Sequence, residues 1–274
     1  MKKPLSVKTL HLSLKIAPLI NIFLGKLFRN NYDIILCYHD VCNDDWEFSV
    51  SNEQFELHIR ELRKHVDIVS LCELLDQDVI SRKPRAAITF DDGYDGVYNN
   101  AFPILTKYEI PATVFIIGNN TINPKGSHKS NLLNKSQIKK LADAGWEIGF
   151  HTTSHNNLSK LGEHELIKEI SQGKDELEKD LGIKFKYFAY PSGMYNKDIK
   201  RVSQEAGFDA AFTVCGNKIS KRKDKRYEIN RITISKYISQ EYLKTLITPI
   251  GILINKVFTY TCRIKDDIWG HLYD

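Results

Sequence analysis

Short apolar runs rich in β-branched and aromatic residues alternate with amphipathic stretches along most of this chain. Positions 34–38, 86–90, 112–117, 146–150, 187–190, 210–214 and 227–234 read as strands. Between them, 52–65, 98–108, 136–144, 163–181 and 196–206 read as helices. Asn52 can cap the first helix, Gly145, Gly182 and Gly207 follow three others, and Pro103 predicts a kink in 98–108. The polar stretch 119–134, with Pro124 and Gly126, reads as a long loop. Repeated βα units argue for a parallel sheet of the α/β class, and about seven strands suit a barrel or a distorted one.

The ends do not follow this pattern. Residues 1–30 place Leu10, Leu14, Ala17, Ile20, Leu24 and Leu27 among Lys8, Lys15, Lys26 and Arg29, the pattern of a basic amphipathic helix. Such a helix suits either a membrane surface or a packed position on the domain or on a partner. It is too short and too interrupted to span a bilayer, and no convincing cleavable signal peptide is visible. A second apolar stretch, 246–260, is broken by Pro249, Gly251 and Lys256. The expected organisation is therefore a barrel over 31–240, an N-terminal extension over 1–30 and a C-terminal extension over 241–274. The expected location is cytoplasmic, or peripheral at the inner face of the membrane.

Composition narrows the function classes. Net charge is +5, concentrated near the start and in the run 218–226. That run lacks interleaved aromatics, which argues against nucleic-acid binding. Five scattered cysteines, Cys37, Cys42, Cys72, Cys215 and Cys262, form no Cys-x-x-Cys pair and no disulfide framework, which points to a reducing compartment. Cys37 and Cys215 lie in apolar runs and read as core residues.

Residues with chemical potential recur where strands end, and in a β/α barrel that rim holds the active site. The run 86–90 is followed by Asp91-Asp92-Gly93, and the run 146–150 by His151-Thr152-Thr153-Ser154-His155. Asp92, His151 and His155 supply three ligands for a divalent metal, with a coordination position left open. A helical turn would set the two histidines side by side. Adjacent aspartates on an extended chain would point apart, leaving Asp91 free as a base. Two nitrogens and one oxygen suit zinc first, with cobalt, nickel or iron also fitting.

With Thr89-Phe90-Asp91-Asp92-Gly93, His151-Thr152-Thr153-Ser154-His155 and Tyr190-Pro191-Ser192-Gly193, the chain resembles the polysaccharide deacetylase family, the NodB-homology domain of carbohydrate esterase family 4. The resemblance implies a distorted (β/α)7 barrel with N- and C-terminal helical extensions around it. It implies metal-dependent removal of acetyl groups from N-acetylated sugars of a cell-envelope or capsular polysaccharide or its precursor. It makes Asp91 the catalytic base, Asp92, His151 and His155 the metal ligands, and the Ser192 backbone N–H a donor to the oxyanion. Pro191 and Gly193 suit a tight turn that brings backbone close to substrate.

The segment Tyr38-His39-Asp40 resembles a Tyr-His segment in the branch that handles poly-N-acetylglucosamine. His39 is thus a candidate auxiliary acid or substrate contact, against a plain strand-end histidine bonded to backbone. Tyr94 and Tyr190 are candidate sugar-stacking residues, ahead of Trp46 and Tyr195. Many family members carry an arginine in the third motif to orient the base, where this chain has Ala189. Arg231, in a late apolar strand-like segment, is a candidate to reach in and pair with Asp91 instead, against an ordinary surface arginine. The family's late Leu-x-His motif is not found, and His271 is left without a role. Two rival readings remain: hydrolysis of a non-sugar C–N bond, and a catalytically silent glycan-binding module.

Overall fold

The computed structural model describes residues 33–76, 81, 83–119, 128, 130–214, 225–248 and 251. The expected N-terminal extension, His271, and most of the basic run and of the 246–260 stretch lie outside these residues. Strand β1 (Asp33–Tyr38) leads through the short paired strands β2 (Asp40–Val41) and β3 (Ser49–Val50) into helix α1 (Asn52–His65). The chain continues through β4 (Asp67–Ile68), α2 (Leu71–Leu75) and β5 (Arg85–Phe90). A π turn, Val97–Ala101, opens α3 (Phe102–Lys107), and β6 (Thr113–Ile116) follows. Next come α4 (Lys135–Asp143) and β7 (Glu147–Phe150). Helices α5 (Glu163–Ile167) and α6 (Gly173–Leu181) are joined by a second π turn, Lys168–Gln172. The chain then runs through β8 (Tyr187–Ala189), α7 (Lys197–Glu205), β9 (Ala210–Thr213), β10 (Ile229–Asn230), β11 (Ile232–Thr233) and α8 (Gln240–Leu246).

The main sheet runs β10-β9-β8-β7-β6-β5-β1-β11 with every pairing parallel, and β4 adds to β5. β10 pairs with β9 and β11 pairs with β1, although only Arg231 separates them in sequence. They are two halves of one stave that bonds first to one edge and then to the other. This bends the sheet into a nearly closed, distorted (β/α) barrel. The segment 227–234, expected as one strand, is split because no single straight strand could serve both neighbours.

Burial explains the elements. The outer core packs Leu36, Phe90, Ile116 and Phe150 of the sheet against Phe55 and Ile59 of α1 and other helix residues. Each such side chain contributes roughly 1.5–3 kcal/mol when fully buried. A second cluster joins Ile35, Ala87, Phe115, Ala189 and Phe212 to Leu71 and Leu74 of α2. Strand alternation puts these residues on the opposite face, inside the barrel. The interior is narrow there: a Cβ on Gly149 would lie 2.5 Å from the Phe115 ring.

Two helix expectations need amendment. Pro103 stands just after the π turn Val97–Ala101, so the helical stretch changes register beside it. The stretch 163–181 is helical throughout but changes register at its π turn, and ends as expected at left-handed Gly182 (φ 72°). Among the described residues no helix is long and apolar enough to cross a membrane.

Candidate metal and catalytic site

Parallel register aligns the strand ends on one rim. Tyr38 pairs with Phe90, Phe90 with Val114, Ile116 with Phe150, and Phe150 with Phe188. The residues that follow β1, β5, β7 and β8 therefore stand around one mouth: His39, Asp91 and Asp92, His151, and the turn of Pro191 and Ser192.

Asp92, His151 and His155 converge there. Their ligating atoms all lie within 4.8 Å of one another. Asp92 Oδ1 is 3.4 Å from His151 Nε2 and 3.3 Å from His155 Nε2. Asp92 is 1% exposed, and neither of its oxygens has a hydrogen-bond partner. A buried carboxylate left without a donor is costly unless something cationic completes it. His151 Nδ1 lies 2.8 Å from Ala189 O, a pure acceptor, so Nδ1 must carry the proton. That tautomer turns the Nε2 lone pair toward Asp92, where a proton would otherwise be expected. Carbonyl-fixed histidines of this kind are the usual supports of metal ligands. The donor set fits a divalent cation.

The route to this convergence differs from the expectation. No helical turn sets the histidines together. His151 ends β7, and Thr152 (φ 67°) and His155 (φ 55°) are both left-handed, folding the turn back on itself. Nor does strand alternation separate the aspartates: Asp92 has φ 66° and has already left the strand. Non-glycine residues in that region cost about 1 kcal/mol or more each and persist where the surroundings hold them.

Asp91 faces the barrel interior, on the same side as Cys37 and Thr89. Arg231, fully buried, grips it with both ends of its fork: Nη1 to Oδ1 at 2.6 Å and Nη2 to Oδ2 at 2.7 Å. Arg231 also donates to Thr89 Oγ1 at 3.2 Å, and its guanidinium lies 5.0 Å from the Phe115 ring centre. Burial pushes the Asp91 carboxyl up, but Arg231, His151 and His39 outweigh it and take it down to about 2. Asp92 is held well below the carboxylate range: burial opposes ionisation, and the neighbouring His155 is the main group that overcomes it.

Cys37 is fully buried, as expected of a core residue, yet it also touches Asp91. Its thiol donates to Asp91 Oδ2 at 3.3 Å, and burial pushes its pKa well up, so it stays a protonated donor. Strand parity was the available signal, since positions 37 and 39 share a face. His39 is partly exposed and groups with Cys37 and Asp91 within 4.8 Å. Its ring lies 5.0 Å from Phe48 and 5.8 Å from Trp46.

Two stacking candidates are overturned as ring platforms. Tyr94 and Tyr190 are both 0% exposed, so neither offers a ring face to a sugar. Tyr94 is wedged edge-on against His128 and Trp46, and Tyr190 packs on Phe188 and donates to Tyr227 O. They are buried because their positions fall on the packed face of the rim. Trp46 and Tyr195 keep partial exposure. Trp46 stacks on His128 at 4.1 Å, and His128 is itself held by Asp40 at 2.9 Å and Asp44 at 3.1 Å. This cluster was missed because Asp40 and His128 are 88 residues apart. Pro191 is buried and Ser192 exposed, in a turn whose Ser192 and Gly193 are both left-handed. Thr213 Oγ1 pins that turn by donating to Gly193 O at 2.6 Å.

Comparison with known proteins agrees with this geometry. The family model described as polysaccharide deacetylase matches residues 78–211. The chain is 32% identical over 220 residues to a poly-beta-1,6-N-acetyl-D-glucosamine N-deacetylase of Staphylococcus aureus, covering 76% of this chain and 74% of that protein. It is 30% identical over 200 residues to the enzyme of the same name from Staphylococcus epidermidis, covering 69% and 68%. Among solved structures, Streptococcus pyogenes deacetylase PplD in complex with acetate superposes with TM-score 0.69 at 25% identity, covering 79% of this chain and 98% of that one. Motifs, fold and relatives converge, and the chain belongs to the polysaccharide deacetylase family.

Proposed function

We propose that the protein hydrolyses the N-acetyl groups of a β-1,6-linked poly-N-acetylglucosamine or a closely similar envelope glycan, with zinc as its ion. The observation that carries this reading is the convergence of Asp92, His151 and His155, with unbonded Asp92 oxygens, beside a separately clamped Asp91. The glycan follows from the staphylococcal relatives, whose similarity extends over three-quarters of the chain.

When bound by Asp92, His151 and His155, a divalent ion supplies Lewis acidity, polarising the acetyl carbonyl and acidifying water. The chain's own residues do the rest. Asp91 is held ionised and immobile by Arg231; Oδ2 also accepts from Cys37, and Oδ1 keeps a lone pair for a further hydrogen bond. It orients the attacking water and accepts its proton. A carboxylate with pKa near 2 is a weak base, so its role depends on the acidity the ion confers. The Ser192 N–H stabilises charge developing on the carbonyl oxygen. His39, at the mouth beside Asp91, is placed to pass a proton to the leaving amine. Acetate and a free amino sugar result.

The test is acetate release from β-1,6-linked N-acetylglucosamine oligomers after metal analysis, with Asp91→Asn alongside. Wild type should release acetate, and Asp91→Asn should lose about 10²–10⁴-fold in rate. Metal-loaded wild type that binds the oligomer and yields no acetate would instead support a silent binding module.

A further inference from the structure

The turn that carries His155 does not hold its shape unaided. Thr152 and His155 are both left-handed, and the local bond from His155 N to Thr152 Oγ1 (3.0 Å) closes only part of the turn. Gly118 N and Asn119 N donate to Thr152 O and Thr153 O (2.9 and 2.8 Å), and a further set of the turn's own donors runs to one residue on a neighbouring helix, Glu169. Its carboxylate accepts from Ser154 N at 3.0 Å, from the Ser154 hydroxyl, and from Asn156 Nδ2 at 3.4 Å. Its backbone carbonyl accepts from Thr153 N at 3.2 Å and from Thr153 Oγ1 at 3.3 Å.

That carbonyl is available because the helix changes register there. Glu169 lies in the π turn Lys168–Gln172. In an α-helix the Gly173 N–H would bond to Glu169 O. Here it goes to Lys168 O and Ile170 O instead, and Glu169 O turns to the Thr153 strap. π turns inside α-helices commonly mark functional positions. Gly173, directly after the π turn, adds an independent sign. A Cβ on Gly173 would lie 1.8 Å from Thr153 Oγ1, so only glycine lets the helix come this close to the turn. Helix register, a missing side chain and a carboxylate thus all meet at the segment between the two histidines.

We infer that Glu169 is a positioning residue for the metal ligands: it fixes the 152–156 turn, and through that turn the place of His155 Nε2 relative to Asp92 and His151. The inference rests on the metal reading of the site. Outer groups of this kind typically govern metal affinity by about 10–100-fold.

The experiment measures zinc and cobalt(II) affinity by competition with a chromophoric chelator, together with the cobalt(II) absorption spectrum. It compares wild type, His155→Ala, Glu169→Ala, Glu169→Gln and Ser154→Ala. Wild type should bind, and His155→Ala should lose most of its affinity. Glu169→Ala should weaken binding about 10–100-fold and alter the cobalt spectrum. Glu169→Gln, which keeps a carbonyl acceptor for Ser154, should recover most of it. Ser154→Ala removes only the hydroxyl, should fall in between, and decides the matter if Glu169→Ala does not fold. Wild-type affinity and spectrum in Glu169→Ala or, failing that, in Ser154→Ala, with His155→Ala impaired, overturns the positioning role. Wild type and His155→Ala binding alike would instead sink the metal assignment itself.

Discussion

The pairing of Arg231 with Asp91 puts a full positive charge inside the barrel, with Phe115 and Phe212 beside the guanidinium. Such a pair does not exist for stability: its desolvation cost rivals its attraction. Its worth lies in keeping a buried carboxylate ionised and motionless. Removing the arginine strands the acid. Arg231→Ala should therefore lose roughly 3–5 kcal/mol in urea unfolding and at least about 100-fold in kcat/KM. Arg231→Lys should rescue little, because a point charge cannot replace a two-pronged grip. A lysine variant with wild-type kcat/KM would show that charge alone suffices. The guanidinium does for Asp91 what the Ala189 carbonyl does for His151: each fixes which atom faces the reactants.

Among the elements, α1 and the α8 region are joined by a buried imidazole. His58 Nε2 lies 2.6 Å from Ile238 O, and Nδ1 lies 3.3 Å from the Tyr38 hydroxyl. Burial pushes His58 down from 6.5 to about 4, only partly opposed by the bond to Ile238 O. The unfolded chain thus takes up a proton at higher pH than the folded one. The neutral-histidine contribution is complete above about pH 6.5 and is lost as pH falls toward 4. At pH 4.5 that loss amounts to about 2–3 kcal/mol. Urea unfolding at pH 7.5 and 4.5 should show this difference in wild type and not in His58→Gln. An equal pH dependence in both would refute it. The element boundaries follow familiar caps: Ser51, Ser70, Asn134, Asn196 and Ser239 each accept a backbone N–H at a helix start.

For the whole molecule, the site ties two staves together, since Asp92 follows β5 and both histidines follow β7. An ion held by all three binds the folded barrel and not the separated chain. At 100 times its Kd it should add about 2.7 kcal/mol. For a domain of this size that is a rise of roughly 5–10 °C in Tm. Zinc should produce the rise, a chelator should remove it, and Asp92→Ala should be indifferent to both. A wild-type Tm unmoved by zinc or cobalt would refute the coupling.

Much of this was legible in the order of residues. Apolar runs ending in acids and histidines announced strands, a barrel and a metal-binding rim, because periodicity and strand-end chemistry are local properties. The three candidate metal ligands were legible too, although the turns that bring them together differ from the expectation. Left-handed φ at Thr152, His155 and Asp92 is not encoded in strand or helix periodicity. The rest depended on contacts between distant segments. Arg231 meets Asp91 across 140 residues only because the last stave splits between two neighbours. Cys37 joins the base through strand parity and close approach, and Glu169 reaches the histidine turn only where its helix changes register. Tyr94 and Tyr190 show the converse: adjacency to a motif says nothing about which face of a ring stays open. Sequence alone determined which chemical groups stand at the strand ends; tertiary structure decided their directions, partners and exposure, since these depend on what the rest of the fold packs against them.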